Sequence, residues 1–179
     1  MGLFDFFKKK PEYDVTNLKV TDLRKGFVFD YDLSTWIVKE EYEYDWGDEY
    51  FSYEFKVENE SEAAFLSVEQ DDELEISLSR KIRIHELSTD LAEQLRLNQK
   101  PPQSIVYNNV TYFQENEAPG YFRNVSKGGK QWEEFISWTY YPKEGKEIIT
   151  IEQWGETEFE ASVGVMLKEF EISNIMPGS

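Results

Sequence analysis

The chain contains itself twice. The segment from Phe65 to Ser79 lies without a gap on the segment from Ile148 to Ser162. Glu69-Gln70 falls on Glu152-Gln153, Glu73 and Glu75 fall on Glu156 and Glu158, and Ser79 falls on Ser162. Most apolar positions keep their character, and upstream Phe55 falls on Trp138 at the same offset. Such a repeat predicts one β unit used twice and packed with pseudo-two-fold symmetry. Much of what recurs is then packing rather than chemistry.

The pattern inside the repeat is that of strands. Phe27, Phe29 and Tyr31, then Tyr42, Tyr44 and Trp46, then Tyr53, Phe55 and Val57, then Leu74, Ile76 and Leu78 each alternate with period two. Turn residues separate these runs at Gly47-Asp48, Glu60-Ser61 and Asp71-Asp72, and later at Asn108-Asn109, Pro119-Gly120 and Lys127-Gly128-Gly129-Lys130. One helix is expected from Thr89 to Leu97, because Leu91, Ala92 and Leu95 share a face and Pro101-Pro102 stop it. A strand from Thr157 to Val165 and a tail strand around Phe170 to Ile172 close the chain. The expected fold is all-β: a tandem repeat of antiparallel barrel- or sandwich-like units joined by one short helix. Its parts are an arm over 1–10, a first unit over 17–87, a linking helix over 88–100 and a second unit over 101–177.

Composition then removes whole classes of function. A net charge of −17 over 179 residues is wrong for nucleic acid and for flat docking on anionic lipid. With no cysteine, disulfides, thiolate catalysis, zinc–thiolate sites and iron–sulfur clusters are excluded. His85 is the single histidine, so pairs of histidine ligands are excluded too. Lys127-Gly128-Gly129-Lys130 lacks the spacing of a phosphate loop and reads as a turn. Oxygen-rich turns at Asp45, Asp48 and Glu49 and at Asp71, Asp72 and Glu73 lack calcium-loop spacing. No metal and no cofactor is expected, and no apolar run reaches the ~20 residues of a membrane span.

Three sets of residues remain as candidates. Glu69 and Glu152, equivalent in the repeat, would face each other if the units meet near them, and paired carboxylates can do acid/base work or hydrolyse glycosides. Aromatic rings interleaved with acids, at Trp46, at Trp132 with Glu133 and at Trp154, suit an ammonium ligand, including polyamines. The plainer reading of the same rings is a core face with the acids turned outward. The third set is the arm. Leu3, Phe4, Phe6 and Phe7 form an apolar patch followed by Lys8, Lys9 and Lys10, suited to docking on protein or to weak peripheral membrane contact. The arm has the wrong order for a signal peptide, which points to a cytoplasmic protein at most peripheral to the inner membrane.

Asp22-Leu23-Arg24-Lys25-Gly26, Trp36-Ile37-Val38, Tyr44-Asp45-Trp46, Phe65-Leu66-Ser67-Val68-Glu69 and Leu78-Ser79-Arg80-Lys81 resemble the first unit of a bacterial family described as domain of unknown function 4178. Pro101-Pro102, Ile105-Val106-Tyr107, Trp132-Glu133-Glu134-Phe135, Ile151-Glu152-Gln153-Trp154-Gly155 and Ile175-Met176-Pro177 resemble its second unit. The resemblance implies an accessory role beside membrane-stress proteins of the phage-shock type or polyamine aminopropyltransferases. The chain lacks an activated nucleophile and any cofactor fingerprint, so the expected function is a non-enzymatic binding or scaffold module whose partner is a protein. A paired-carboxylate hydrolase and a small cation-binding β-barrel are the alternatives.

Overall fold

A computed structural model of the chain describes residues 13, 14 and 16–178. It is built mostly of antiparallel strands. The first five are β1 (Val28–Tyr31), β2 (Ser34–Asp45), β3 (Phe51–Glu58), β4 (Ala63–Gln70) and β5 (Leu74–Ile82). Two helices follow, α1 (Ile84–Leu87) and α2 (Leu91–Asn98). Then come β6 (Ser104–Tyr107), β7 (Val110–Asn124), β8 (Glu133–Pro142), β9 (Glu147–Trp154), β10 (Glu158–Leu167) and β11 (Ser173–Met176). No helix among the described residues is long and apolar enough to cross a membrane.

The strands pair in the order β11-β1-β2-β3-β4-β5-β10-β9-β8-β7-β6, and β2 also pairs with β7. That extra pairing sends the hydrogen-bonded path back to its start through eight strands, β2 to β5 and β10 back to β7. Short β1 and β6 each enter a long strand through a two-residue turn. Asp32-Leu33 and Asn108-Asn109 make these turns, all with positive φ, the geometry that tight hairpins need.

Each strand of the circuit has two different faces. On β3 to β5, Phe55, Val57, Leu66, Val68, Ile76 and Leu78 join an apolar core covered by Val20, Leu23, Phe27 and Phe29. On β8 and β9, Trp138, Tyr140, Ile149 and Ile151 are covered by Leu87, Leu91, Leu95 and Ile105. Leu91 and Leu95 are fully buried there, each contributing about 1.5–3 kcal/mol. The opposite faces of the same strands look into the circuit and are mostly polar, apart from Phe65, Phe135 and Trp154.

Bulges in β2 and β7 decide which residues look inward. Val38 pairs with Val57 but Glu40 pairs with Lys56, so Lys39 is an extra residue. Trp36 and Val38 therefore lie in the outer core, whereas Tyr42 and Tyr44, at the same sequence parity, lie inside. On β7, Gln114 pairs with Tyr140 and Asn116 with Thr139, and Glu115 has the same effect.

Some local expectations change. The expected helix is α2, and a short helix that was not expected, α1, precedes it and carries His85 exposed. Pro119-Gly120 is no turn: β7 runs through it, where only β8 lies alongside, so the missing proline N–H costs no ladder bond. Phe170 to Ile172 is not a strand either. Glu169–Glu171 form a 3₁₀ turn, and the strand that follows is β11. The repeat keeps its faces but not its partners: Leu66 pairs with Leu78, while Ile149 pairs with Val163, two residues beyond Ala161.

Candidate functional site

The inward faces enclose a cavity of about 880 Å³, and all eight strands of the circuit contribute to its wall. Its lining is chemically divided. One region is aromatic, with Tyr44 stacked on Trp46 at 5.7 Å and Phe135 on Trp154 at 4.8 Å. Phe122 meets Trp154 edge-on at 5.2 Å. The Trp46 indole N–H donates to Ser52 Oγ at 2.8 Å, which fixes that ring. The Trp154 indole nitrogen is buried beside Glu152 and favours that carboxylate, without full hydrogen-bond geometry to any described residue.

The rest of the wall is polar and strongly acidic. Glu54, Glu69, Glu75, Glu133, Glu152, Glu158 and Glu160 line it against Lys56, Lys81 and Lys127. Those lysines are already engaged. Lys56 reaches Glu40 at 4.0 Å and Glu58 at 3.6 Å, and Lys127 reaches Glu40 at 3.6 Å. Lys81 is bonded to Glu160 and lies 5.2 Å from the Phe65 ring centroid. The cavity thus carries a surplus of negative charge that its own cations do not match.

Glu54 and Glu152 feel this most. Both are half-buried, touching the cavity while protein surrounds them. Burial pushes Glu54 up to about 7, opposed by the Tyr44 hydroxyl, which donates to it at 3.1 Å, and by Lys81. Burial pushes Glu152 up to about 8, and the charge of Glu54 adds to the rise. Burial also raises Tyr141, to about 12. Next to the cavity, Tyr50, Glu69 and Glu75 continue into a smaller recess with Asp71, Asp72 and Glu73, a mouth of the same sign.

Sequence reasoning placed part of this. Glu69 and Glu152 do share the cavity wall, but Glu69 accepts the Tyr50 hydroxyl, and the carboxylates acting on Glu152 are Glu54 and, less strongly, Glu160. Trp46, Trp154 and Glu133 line the cavity as well. Trp132 is not among the lining residues and stacks under Arg123 at 4.5 Å. Arg123 in turn holds Glu43 at 2.6 Å across the β2–β7 pairing. Glu54 and Lys81 were missed. Their signal is the run of small polar residues, Ser52, Ser67, Ser77 and Ser79, opposite apolar neighbours, where a solvated strand face would carry longer side chains. The arm, Leu3 to Lys10, lies outside the described residues.

The family model described as domain of unknown function (DUF4178) matches residues 24–169. The chain belongs to the DUF4178 family. The matched stretch takes in all eight strands of the circuit and every carboxylate of the cavity wall. A protein of Aquifex aeolicus (strain VF5), described as uncharacterized, is 29% identical over 177 residues, covering 98% of this chain and 94% of its own. No solved structure matches the chain. Within DUF4178, the site must therefore be argued from its own geometry.

Proposed function

We propose that this chain is a non-enzymatic binding module whose ligand, a small organic cation, sits inside the strand circuit. The observation that carries this reading is the charge of the cavity: seven carboxylates face three lysines, and each lysine is already paired. Aromatic faces beside carboxylates attract ammonium groups, and exclusion of bulk water strengthens that attraction. The circuit is read as a small closed barrel, and eight strands enclose an interior wide enough for one small ligand. The shared positive-φ turns and bulges of β1–β2 and β6–β7 support one unit used twice, over 17–87 and 101–177, with the ligand between the copies. An accessory role in a polyamine-related or membrane-stress system would fit such a module.

Calorimetric titration with spermidine at about 0.15 M salt tests the reading, with Trp46 and Trp154 as fluorescent reporters. The expected result is saturable one-site binding that Glu152→Gln weakens at least about tenfold, the loss of about 1.4 kcal/mol. Heat that vanishes on a modest rise in salt, or that Glu152→Gln leaves unchanged, would reduce the effect to attraction by the acidic surface.

The hydrolase reading keeps one supporting observation, the shared wall of Glu69 and Glu152. Against it, Glu69 is tied to Tyr50, and Glu152 is coupled to Glu54 instead. Turnover of an aryl glycoside, abolished by Glu69→Gln, would restore it.

A further inference from the structure

We infer that Glu54 and Glu152 hold a proton between them in the free protein and give it up to solvent when a cation enters the cavity. The inference rests on the cation-binding reading and adds its regulation: capture of the ligand is an exchange of one positive charge for another.

The geometry comes first. Glu54 is on β3 and Glu152 on β9, four steps apart in either direction around the eight-strand circuit. The two carboxyls therefore face one another across the cavity rather than along a wall. Groups reaching them from the surrounding strands are few. From β2, Tyr44 donates a hydrogen bond to Glu54, and Tyr42 is the register partner of Glu54. From β4 and β8 the register partners are neutral, Ser67 beside Glu54 and Ser137 beside Glu152. From β10 comes a third carboxylate, Glu160, the register partner of Glu152. From β5 comes one ammonium, Lys81, bonded to Glu160. Lys56, on the same strand as Glu54, is turned to Glu40 and Glu58.

Two sheltered carboxyls thus face a single ammonium that Glu160 already holds at the more exposed edge of the cavity. Leaving two uncompensated charges there costs far more than taking up a proton, so the pair titrates as a unit above the ordinary carboxylate range. An organic cation supplies the missing positive charge directly. The proton then leaves to bulk buffer, and the ammonium group that settles beside the pair takes the place of that one proton. Affinity must rise with pH, by up to about tenfold per unit where one whole proton is released.

The test is spermidine calorimetry at pH 7 in phosphate and in Tris, whose ionisation heats differ. Spermidine amines, like that of lysine, stay charged at this pH and release no proton of their own. The expected result is a binding enthalpy that differs between the buffers, with the difference lost in Glu152→Gln and kept in Glu93→Gln, on α2 away from the cavity. Infrared difference spectra of the free protein at pH 7 should show a protonated carboxyl band that Glu152→Gln removes. Equal enthalpies in both buffers, with binding intact, would overturn this inference alone, and so would a missing carboxyl band. Absence of binding would overturn it together with the cation-binding reading.

Discussion

Tyr44 and Glu54 are diagonal neighbours on β2 and β3, and the tyrosine hydroxyl donates to the carboxylate at 3.1 Å inside the cavity. This bond is the largest influence holding Glu54 down against its burial. Tyr44→Phe keeps the ring stacked on Trp46 and removes only the donor. The expected cost is about 1.5–3 kcal/mol, the range for a hydrogen bond to a charged group, measured by denaturant unfolding. Glu54 should also titrate higher in the variant. Unchanged stability together with an unchanged titration would show that the hydroxyl makes no such bond.

Stability should peak on the acid side of neutrality. An unfolded glutamate ionises near about 4.3, whereas folded Glu54 and Glu152 do so at about 7 and about 8. Between these values the folded chain binds protons that the unfolded chain does not. The stability the pair contributes is full below about 4.3 and is lost as pH rises through 7 and 8. Glu62 and Glu117, held below the ordinary range by Arg80 and Lys100, act oppositely: their small contribution is lost as pH falls. Melting temperatures should therefore be highest near pH ~5–6 and decline toward pH ~8.5. Glu152→Gln should flatten that decline by about 2–4 °C, roughly 1 kcal/mol for a chain of this size. A wild-type melting temperature that climbs steadily to pH ~8.5 would contradict the linkage.

The strands themselves were legible. Phe55 and Val57, like Ile76 and Leu78, alternate as half-buried strands must, and Asn108-Asn109 announces its turn. The inward face was not legible, because period two implies one buried and one solvated face, while here both are enclosed. Glu54 thus read as an ordinary outward acid, and Glu152 stood out only through its repeat equivalent Glu69. Bulges at Lys39 and Glu115 hid the rest, since an extra residue moves Tyr42 and Tyr44 off the face of Trp36 and Val38 without any mark in the sequence. Proline and glycine misled at Pro119-Gly120, where an unpaired edge and a neighbouring indole, rather than a turn, account for both residues.

The β5–β10 pairing depends on a glycine. A Cβ on Gly164 would stand 2.4 Å from the Leu78 carbonyl oxygen and 2.7 Å from Ser79 Cβ. The first of these is backbone and cannot swing aside, so the strands themselves must part. Gly164→Ala should cost about 1–3 kcal/mol, the range for overpacking. Hydrogen exchange should quicken along β5 and β10 before it does along β3 and β4. Uniform exchange in the variant would place the strain elsewhere.

At the opposite closure, Arg123 and Glu43 are register partners across β2 and β7, and the guanidinium also lies over the Trp132 ring at 4.5 Å. Glu43 is the more sheltered partner, with 14% of its side chain exposed against 34% for Arg123. Arg123→Ala strips the carboxylate of its cation and uncovers the indole. The expected loss is about 1–3 kcal/mol, above that of a solvated surface pair. Arg123→Lys should recover only part of it, because lysine cannot both fork onto Glu43 and stack flat on Trp132. Full rescue by lysine would reduce the contact to simple charge.

Gly120 joins this closure to the site. A Cβ there would lie 2.8 Å from Trp46 Cε3, 3.1 Å from Trp46 Cζ3 and 3.1 Å from the Asp45 carbonyl oxygen. The indole must move, since the backbone contact leaves the new methyl no other direction. Moving it breaks the 2.8 Å bond to Ser52 and the stack on Tyr44. Gly120→Ala should therefore lose part of the aromatic wall while leaving Glu54 and Glu152 in place. Red-shifted tryptophan emission and a fall in stability of about 1–3 kcal/mol are the expected structural signs. If the ring helps to hold the cation, spermidine affinity should fall about two- to thirty-fold, the range of a cation–π contact of about 0.5–2 kcal/mol. Its dependence on buffer ionisation should survive, because the carboxyls that exchange the proton are untouched. An altered emission with undiminished affinity would assign Trp46 to packing alone.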